Sequence, residues 1–237
     1  MSERHGILET IYEQLAPVHA DGHKFIAIGA AATLLFFVLW PPIGWLLAGV
    51  TAWIIYFFRD PPRVTPLRDG LVVSPADGRI SAIDRIRPPG ELALGNEERV
   101  RVSIFLSVFD VHIQRAPVAG RIARSIYVPG KFLNAALDKA SEENERRSIV
   151  IATPQAGDIA VVQIAGLIAR RIVTFVKDGD SLGMGERFGL IRFGSRVDIY
   201  LPPGKGCLVA VGQRAVGGET IFADLKSDEP EREARQA

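Results

Sequence analysis

The sequence predicts a mainly β protein of the α+β class, a barrel- or sandwich-like domain preceded by a helical, membrane-associated segment. Three observations predict it. From Leu71 onward the chain is a succession of short runs rich in Val and Ile, punctuated by Gly and Pro, as expected of many short strands joined by turns. From Phe25 to Phe58 there is no charged residue at all. Between the two lies Pro61, Pro62 and Pro66 with charges interspersed, the composition of a stiff linker. The expected organisation is therefore a membrane-associating part over 1–60, a β-rich domain over 61–226 and a charged tail over 227–237.

Taken in order, residues 7–15 place Ile7, Leu8, Ile11, Tyr12 and Leu15 at helical spacing, the pattern of an amphipathic helix in a membrane interface or packed on the domain. Pro41-Pro42 then divides the uncharged run, because Pro42 drives Pro41 out of helical geometry. The halves, 25–40 and 43–58, are roughly 16 residues each, about 24 Å of helix against a bilayer core of about 30 Å. A re-entrant hairpin or a pair of thin spans satisfies this. Lys24 before it and Arg59, Arg63 and Arg68 after it put both ends on the cytoplasmic side. The expected strands fall at 71–73, 80–86, 100–107, 121–128, 148–152, 159–165, 171–176, 189–193, 196–201 and 207–211, with one helix at 132–145. Segments 176–186 and 74–80 resemble the hammerhead turns of biotinyl and lipoyl carrier domains. The lysine on which such domains carry a cofactor is not matched, so the likeness concerns strand arrangement only.

Composition narrows the function. A net charge of +1 gives no general attraction to nucleic acid. The single cysteine, Cys207, rules out a disulfide within the chain and a cysteine-based zinc site, and reads as a small buried hydrophobe. Of four histidines, His5, His19 and His23 precede the apolar run, which leaves His112 as the one histidine of the β-rich part for proton transfer.

Three short segments stand out from a plain β scaffold: Ser74-Pro75-Ala76-Asp77-Gly78, which presents a carboxylate on a turn; Asp110-Val111-His112-Ile113-Gln114-Arg115, which carries the histidine; and Phe193-Gly194-Ser195-Arg196-Val197-Asp198, where a Gly-Ser step interrupts a strand. Singly, an Asp-Gly pair is a turn, a lone histidine a satisfied structural residue and a Gly-Ser step a bulge. Their coincidence shifts the balance.

Together with Phe58-Arg59-Asp60-Pro61, Phe105-Leu106-Ser107 and Asn144-Glu145-Arg146, these segments occur in the order found in the short bacterial form of phosphatidylserine decarboxylase, which the chain resembles from about 55 to 215. The resemblance implies self-cleavage between Gly194 and Ser195. The Ser195 hydroxyl would attack the Gly194 carbonyl, turning amide into ester; β-elimination would release 1–194 with a new carboxylate, and the dehydroalanine left at 195 would hydrolyse to a pyruvoyl group with loss of ammonia. Glycine at 194 leaves that carbonyl open. The pyruvoyl is the implied cofactor, with no metal. It would form a Schiff base with phosphatidylserine in the bilayer and act as electron sink for decarboxylation to phosphatidylethanolamine. The resemblance further implies that both chains stay together, as a homodimer of cleaved protomers at the cell membrane.

His112 is assigned to proton transfer, and Asp77 either orients it or helps to deprotonate Ser195. Some family members carry a second histidine three residues on, in an Asp-His-Ser relay for self-cleavage. This chain has Arg115 there, and an arginine stays protonated. Either His112 serves both stages, or maturation rests on backbone strain and Asp77. Arg115 could bind a substrate anion, and Arg59 and Arg63 lipid phosphates. Two other readings compete: a non-catalytic, membrane-anchored β-rich binding module, and a pyruvoyl decarboxylase of a soluble amino acid, which would have no use for the apolar hairpin.

Overall fold

The computed structural model describes residues 16–130, 143–153, 157–166, 171–192, 195–227, 229, 230, 232 and 235. The segment 7–15, nearly all of 132–145 and part of the tail, all of which the sequence reading singled out, lie outside the described residues, as does Gly194. The chain divides into two units, Met1–Pro62 and Arg63–Ala237.

In the first unit, helix α1 spans Ala20–Leu39 and α2 spans Pro41–Phe57. Helix α1 begins earlier than the uncharged run suggests. His19 Nδ1 accepts the Asp21 N–H and so caps it, and Asp21 sits in the first turn, where the helix dipole favours a negative charge. At 20 residues, about 30 Å, α1 is long and apolar enough to cross a membrane. Trp40 is extended between the helices, and the two prolines open α2, where a missing N–H costs nothing.

The helices pack through small residues. A Cβ on Gly29 would meet Thr51 Oγ1 at 2.7 Å, and the Thr33 and Thr51 hydroxyls approach to 3.3 Å across the pair. Each hydroxyl also donates to a carbonyl one turn back, to Gly29 and Leu47, so no polar group is left over. The outer surface is apolar and exposed, with Ile28, Leu34, Val38, Leu39, Trp45 and Leu46 all more than half accessible. Such a surface on every side suits lipid rather than water. The two ends are stitched together: His19 N–H donates to Phe58 O at 2.8 Å, Asp60 N–H to Pro17 O at 2.7 Å, and Phe25 stacks on Phe58. Entry and exit of the hairpin therefore lie side by side.

The second unit is β. Its strands are β1 (Leu71–Val73), β2 (Gly78–Ile86), β3 (Arg99–Leu106), β4 (Ile113–Arg115), β5 (Gly120–Val128), β6 (Arg146–Thr153), β7 (Gly157–Ala165), β8 (Ile172–Thr174), β9 (Ser181–Leu182), β10 (Arg187–Ile191), β11 (Ser195–Tyr200), β12 (Arg214–Ala215) and β13 (Ile221–Asp224). An eight-stranded antiparallel sheet runs β12-β2-β3-β11-β7-β6-β5-β9; β4-β10-β8 and β1-β13 form smaller sheets. The mainly β expectation holds. One expected strand does not form. In 207–211 the apolar side chains of Cys207 and Val209 enter the core, but Leu208 N–H makes only a single bond to Phe222 O and no ladder follows.

Alternation divides the large sheet. Val102, Ile104 and Leu106 of β3, Ile149 and Ile151 of β6, Ile159, Val161 and Ala165 of β7, and Val197 and Ile199 of β11 share the main core. The opposite face carries Val150, Ala160, Val162, Ile164 and Tyr200, which pack with Leu92 and Leu94.

Candidate active site

Strand β11 is central, bonded to β3 on one side and β7 on the other, with Ser195 opposite Leu106 and Ala165. The two-residue period turns Ser195 to the same face as Val197 and Ile199, toward the main core. Ser195 is wholly buried, and its hydroxyl has no hydrogen-bond partner among the described residues. An orphaned buried hydroxyl costs about 1–3 kcal/mol. The Ser103 and Ser148 hydroxyls share that state, and what sets Ser195 apart is its place directly after Gly194 in sequence, at the head of the central strand.

His112 immediately precedes β4, between the small sheet and the end of β3. It is fully buried. Its Nδ1 lies 3.0 Å from the Asp110 carbonyl oxygen. A carbonyl can only accept, so this contact requires the proton on Nδ1 and puts the basic lone pair on Nε2. The His112 carbonyl accepts from Gln114 Nε2 and from the Ile191 N–H, and Gln163 of β7 donates in turn to Gln114, so a buried polar chain fixes the histidine from below.

The turn holding Asp110 is itself closed by that residue: Asp110 Oδ2 accepts from both the Ser107 N–H and the Ser107 hydroxyl at 2.8 Å, while Oδ1 meets Arg214 at 2.7 Å. The Ser-x-x-Asp spacing is the sequence signal for this turn, and reading the segment for its histidine alone missed it.

Asp77 stands on a loop pinned from three directions. Ser74 N–H donates to Thr220 O, Gly218 N–H to Ser74 O, and Arg115 N–H to Pro75 O. Gly78 follows at φ +151, and a Cβ there would run into the Phe105 carbonyl oxygen, so only glycine lets the Asp77 turn lie flat on β3. The carboxylate is engaged on both oxygens: Oδ2 with Arg63 at 2.7 Å and Oδ1 with the Gly217 N–H at 2.9 Å. Burial raises its pKa above the usual carboxylate value, Arg63 and the Gly217 N–H pull it back, and Asp110 adds a smaller push upward.

From the start of β2 to that of β11 is two strand spacings, about 10 Å. Among the described residues no hydrogen bond joins Asp77 to His112, or either to Ser195.

The three arginines offered for substrate have other engagements. Arg115 is buried on β4, with NH1 donating to Gly185 O at 3.1 Å. Arg59 donates to Tyr56 O and stacks over the Tyr56 ring at 3.8 Å. Arg63 spends its guanidinium on Asp77.

A family model for phosphatidylserine decarboxylase matches residues 50–223. A curated relative, the phosphatidylserine decarboxylase proenzyme of Nitrobacter winogradskyi, is 56% identical over 217 residues, 92% of this chain and 88% of its own. The chain belongs to the phosphatidylserine decarboxylase family.

Next to the candidate serine, the decarboxylase chain carries a feature that its motifs did not reveal. Arg196 and Asp198, two residues apart on one face of β11, form a bidentate pair at 2.9 Å with side chains 4% and 1% exposed. The Arg-x-Asp spacing in a strand is the only sequence hint of it. Burial, then the Asp198 carboxylate, push the Tyr200 phenol up to about 12, so Tyr200 stays neutral at working pH. Asp198→Ala removes the buried carboxylate that grips Arg196 on two sides and is expected to cost about 3–5 kcal/mol, read as a lowered urea midpoint. Replacing both with apolar residues of like volume should recover most of that loss.

Proposed function

We propose that this chain converts phosphatidylserine to phosphatidylethanolamine and carbon dioxide through a pyruvoyl group made autocatalytically from its own Ser195. Family membership and a relative named as a proenzyme support the reading. The observation that carries it is a wholly buried serine hydroxyl, unpartnered among the described residues, at the head of the central strand and directly after Gly194 in sequence.

The site fits the group. A pyruvoyl has one heavy atom fewer than the serine it replaces and needs no polar partner for the lost hydroxyl, which suits the apolar neighbours Leu106, Ala165 and Val197 of the main core. Such a group supplies a carbonyl that bonds the substrate amine and draws off the electron pair left when carbon dioxide departs. The apolar surroundings exclude water and strengthen any charge interaction there. His112, its tautomer fixed by the Asp110 carbonyl, holds or delivers a proton at Nε2. The apolar surface of α1 and α2 suits attachment to the bilayer in which the lipid resides, and the basic residues flanking the hairpin favour the cytoplasmic side for its paired ends.

Intact masses of the purified wild-type chain test this. The expected result is two pieces parting between Gly194 and Ser195, the smaller without a free α-amine, in a preparation that turns phosphatidylserine vesicles into phosphatidylethanolamine. A single full-length mass with an ordinary serine at 195 would overturn it.

A further inference from the structure

We propose that Arg63 is a positioning residue for maturation: it holds the buried Asp77 carboxylate in its ionised form and thereby sets the pH at which self-cleavage at Ser195 turns on. The proposal rests on the pyruvoyl reading above and gives one linker residue a definite task within it.

The geometry is that of a built clamp. The Arg63–Asp77 contact is 2.7 Å long, with side chains only 13% and 12% exposed, so solvent screens it little. The second carboxylate oxygen is held by the Gly217 N–H, and a Cβ on Gly217 would stand 3.1 Å from it, so the loop after β12 closes tightly over that oxygen. The clamp is anchored on its own side as well. The next backbone N–H, that of Val64, donates to Glu219 Oε1 at 2.9 Å, on the same stretch of chain that carries Gly217. The linker is thus tied down where Arg63 leaves it.

The neighbouring charges leave the decision to Arg63. Asp110 faces Asp77 from the 107–110 turn and favours the protonated form, but Arg214 of β12 pairs with Asp110. Arg115 of β4 approaches across the Gly217-Gly218 step, its Cδ 2.9 Å from where a Gly218 Cβ would be, and its NH1 donates to the Gly185 carbonyl. Burial pushes the Asp77 pKa upward, and Arg63, 2.7 Å away, is the charged group in direct contact that opposes that push. Because position 115 offers no base, the ionisation of Asp77 carries more weight in this chain than where a histidine stands there.

The test follows self-cleavage of the full-length chain made by cell-free synthesis and shifted into buffers across a pH series, read by gel and intact mass. Losing Arg63 removes a stabiliser of the carboxylate, so ionisation requires higher pH. In Arg63→Met the midpoint of the cleavage–pH profile is expected to move upward, with cleavage at neutral pH slowed by about tenfold or more. Arg63→Lys keeps the charge without the planar fork and is expected to shift less in the same direction; it carries the test if Arg63→Met fails to fold. An unmoved midpoint in folded variants overturns the proposal. So does normal processing accompanied only by a raised KM for phosphatidylserine, which would mark Arg63 as a lipid contact. A wild-type chain that never cleaves removes the pyruvoyl reading along with the clamp, whereas wild-type cleavage with an unmoved variant midpoint removes the clamp alone.

Discussion

Replacing Ser195 with alanine is expected to leave the chain as one uncut polypeptide with no decarboxylation, yet melting no lower than the uncleaved wild-type precursor. The two halves of this result have one cause. The hydroxyl is the nucleophile of the proposed acyl shift, so its removal ends maturation outright. The same hydroxyl is buried and bonds to nothing among the described residues, so its removal also lifts a desolvation cost of about 1–3 kcal/mol. A serine whose loss abolishes function without loss of stability has a chemical rather than a structural role. Ser195→Thr sharpens the test. It retains a hydroxyl but forces a methyl group between Leu106 and Ala165, so slow cleavage with a fall of about 1–3 kcal/mol is expected. Gel mobility, intact mass and a thermal melt read all of these. A marked drop in the melting temperature of Ser195→Ala would mean that the hydroxyl is a structural bond after all.

The second large effect is expected at His112. His112→Ala should lower decarboxylation by about 10²–10⁴-fold, the range for a positioned general acid or base. Turnover must be counted per molecule of cleaved small chain, so that a processing defect is not mistaken for a catalytic one. His112→Asn is the control. Its amide N–H can replace Nδ1–H in the bond to the Asp110 carbonyl and preserve the buried chain through Gln114 and Gln163, but it has no group that titrates. A folded, inactive asparagine variant assigns proton transfer to the imidazole; wild-type turnover by it would remove the assignment. Cleavage of both variants at the normal rate would further show that His112 serves only the decarboxylation stage.

The sequence made the sheet readable because its strands are long Val/Ile runs whose alternation reports two faces, as in β3, β6 and β7. It concealed β4, β9, β12 and β13, each only two to four residues long, because a ladder that short depends on what the remainder of the fold places beside it. The run at 207–211 misled for the complementary reason: apolar side chains record burial, not pairing. Helix α1 extends beyond the uncharged run because Asp21, His23 and Lys24, which look like a flank in sequence, lie within its first five residues. At the site, the motifs disclosed single residues, Asp77, His112 and Ser195. The contacts that govern them were less legible. The Asp110 turn and the Arg196–Asp198 pair left faint local spacings, but Arg63 against Asp77 joins residues fourteen positions apart and Gly217 against Asp77 a hundred and forty, and neither separation has a period that a sequence pattern could report.

The placement of β11 between β3 and β7 has a consequence for the life of the protein. A cut before Ser195 would make the small chain a noncovalent passenger whose three strands are woven into different places: the middle of the large sheet, its β12 edge and the pairing with β1. Removing it would require tearing two full ladders at once, so dissociation on dilution would be extremely slow. Rebuilding the protein after unfolding would be a different matter. Reassembly would be bimolecular, and the peptide bond that produced the fold and the reactive group together would be gone. Such a protein gets one folding event, and its endurance is set by the rate at which it falls apart rather than by an equilibrium it can return to.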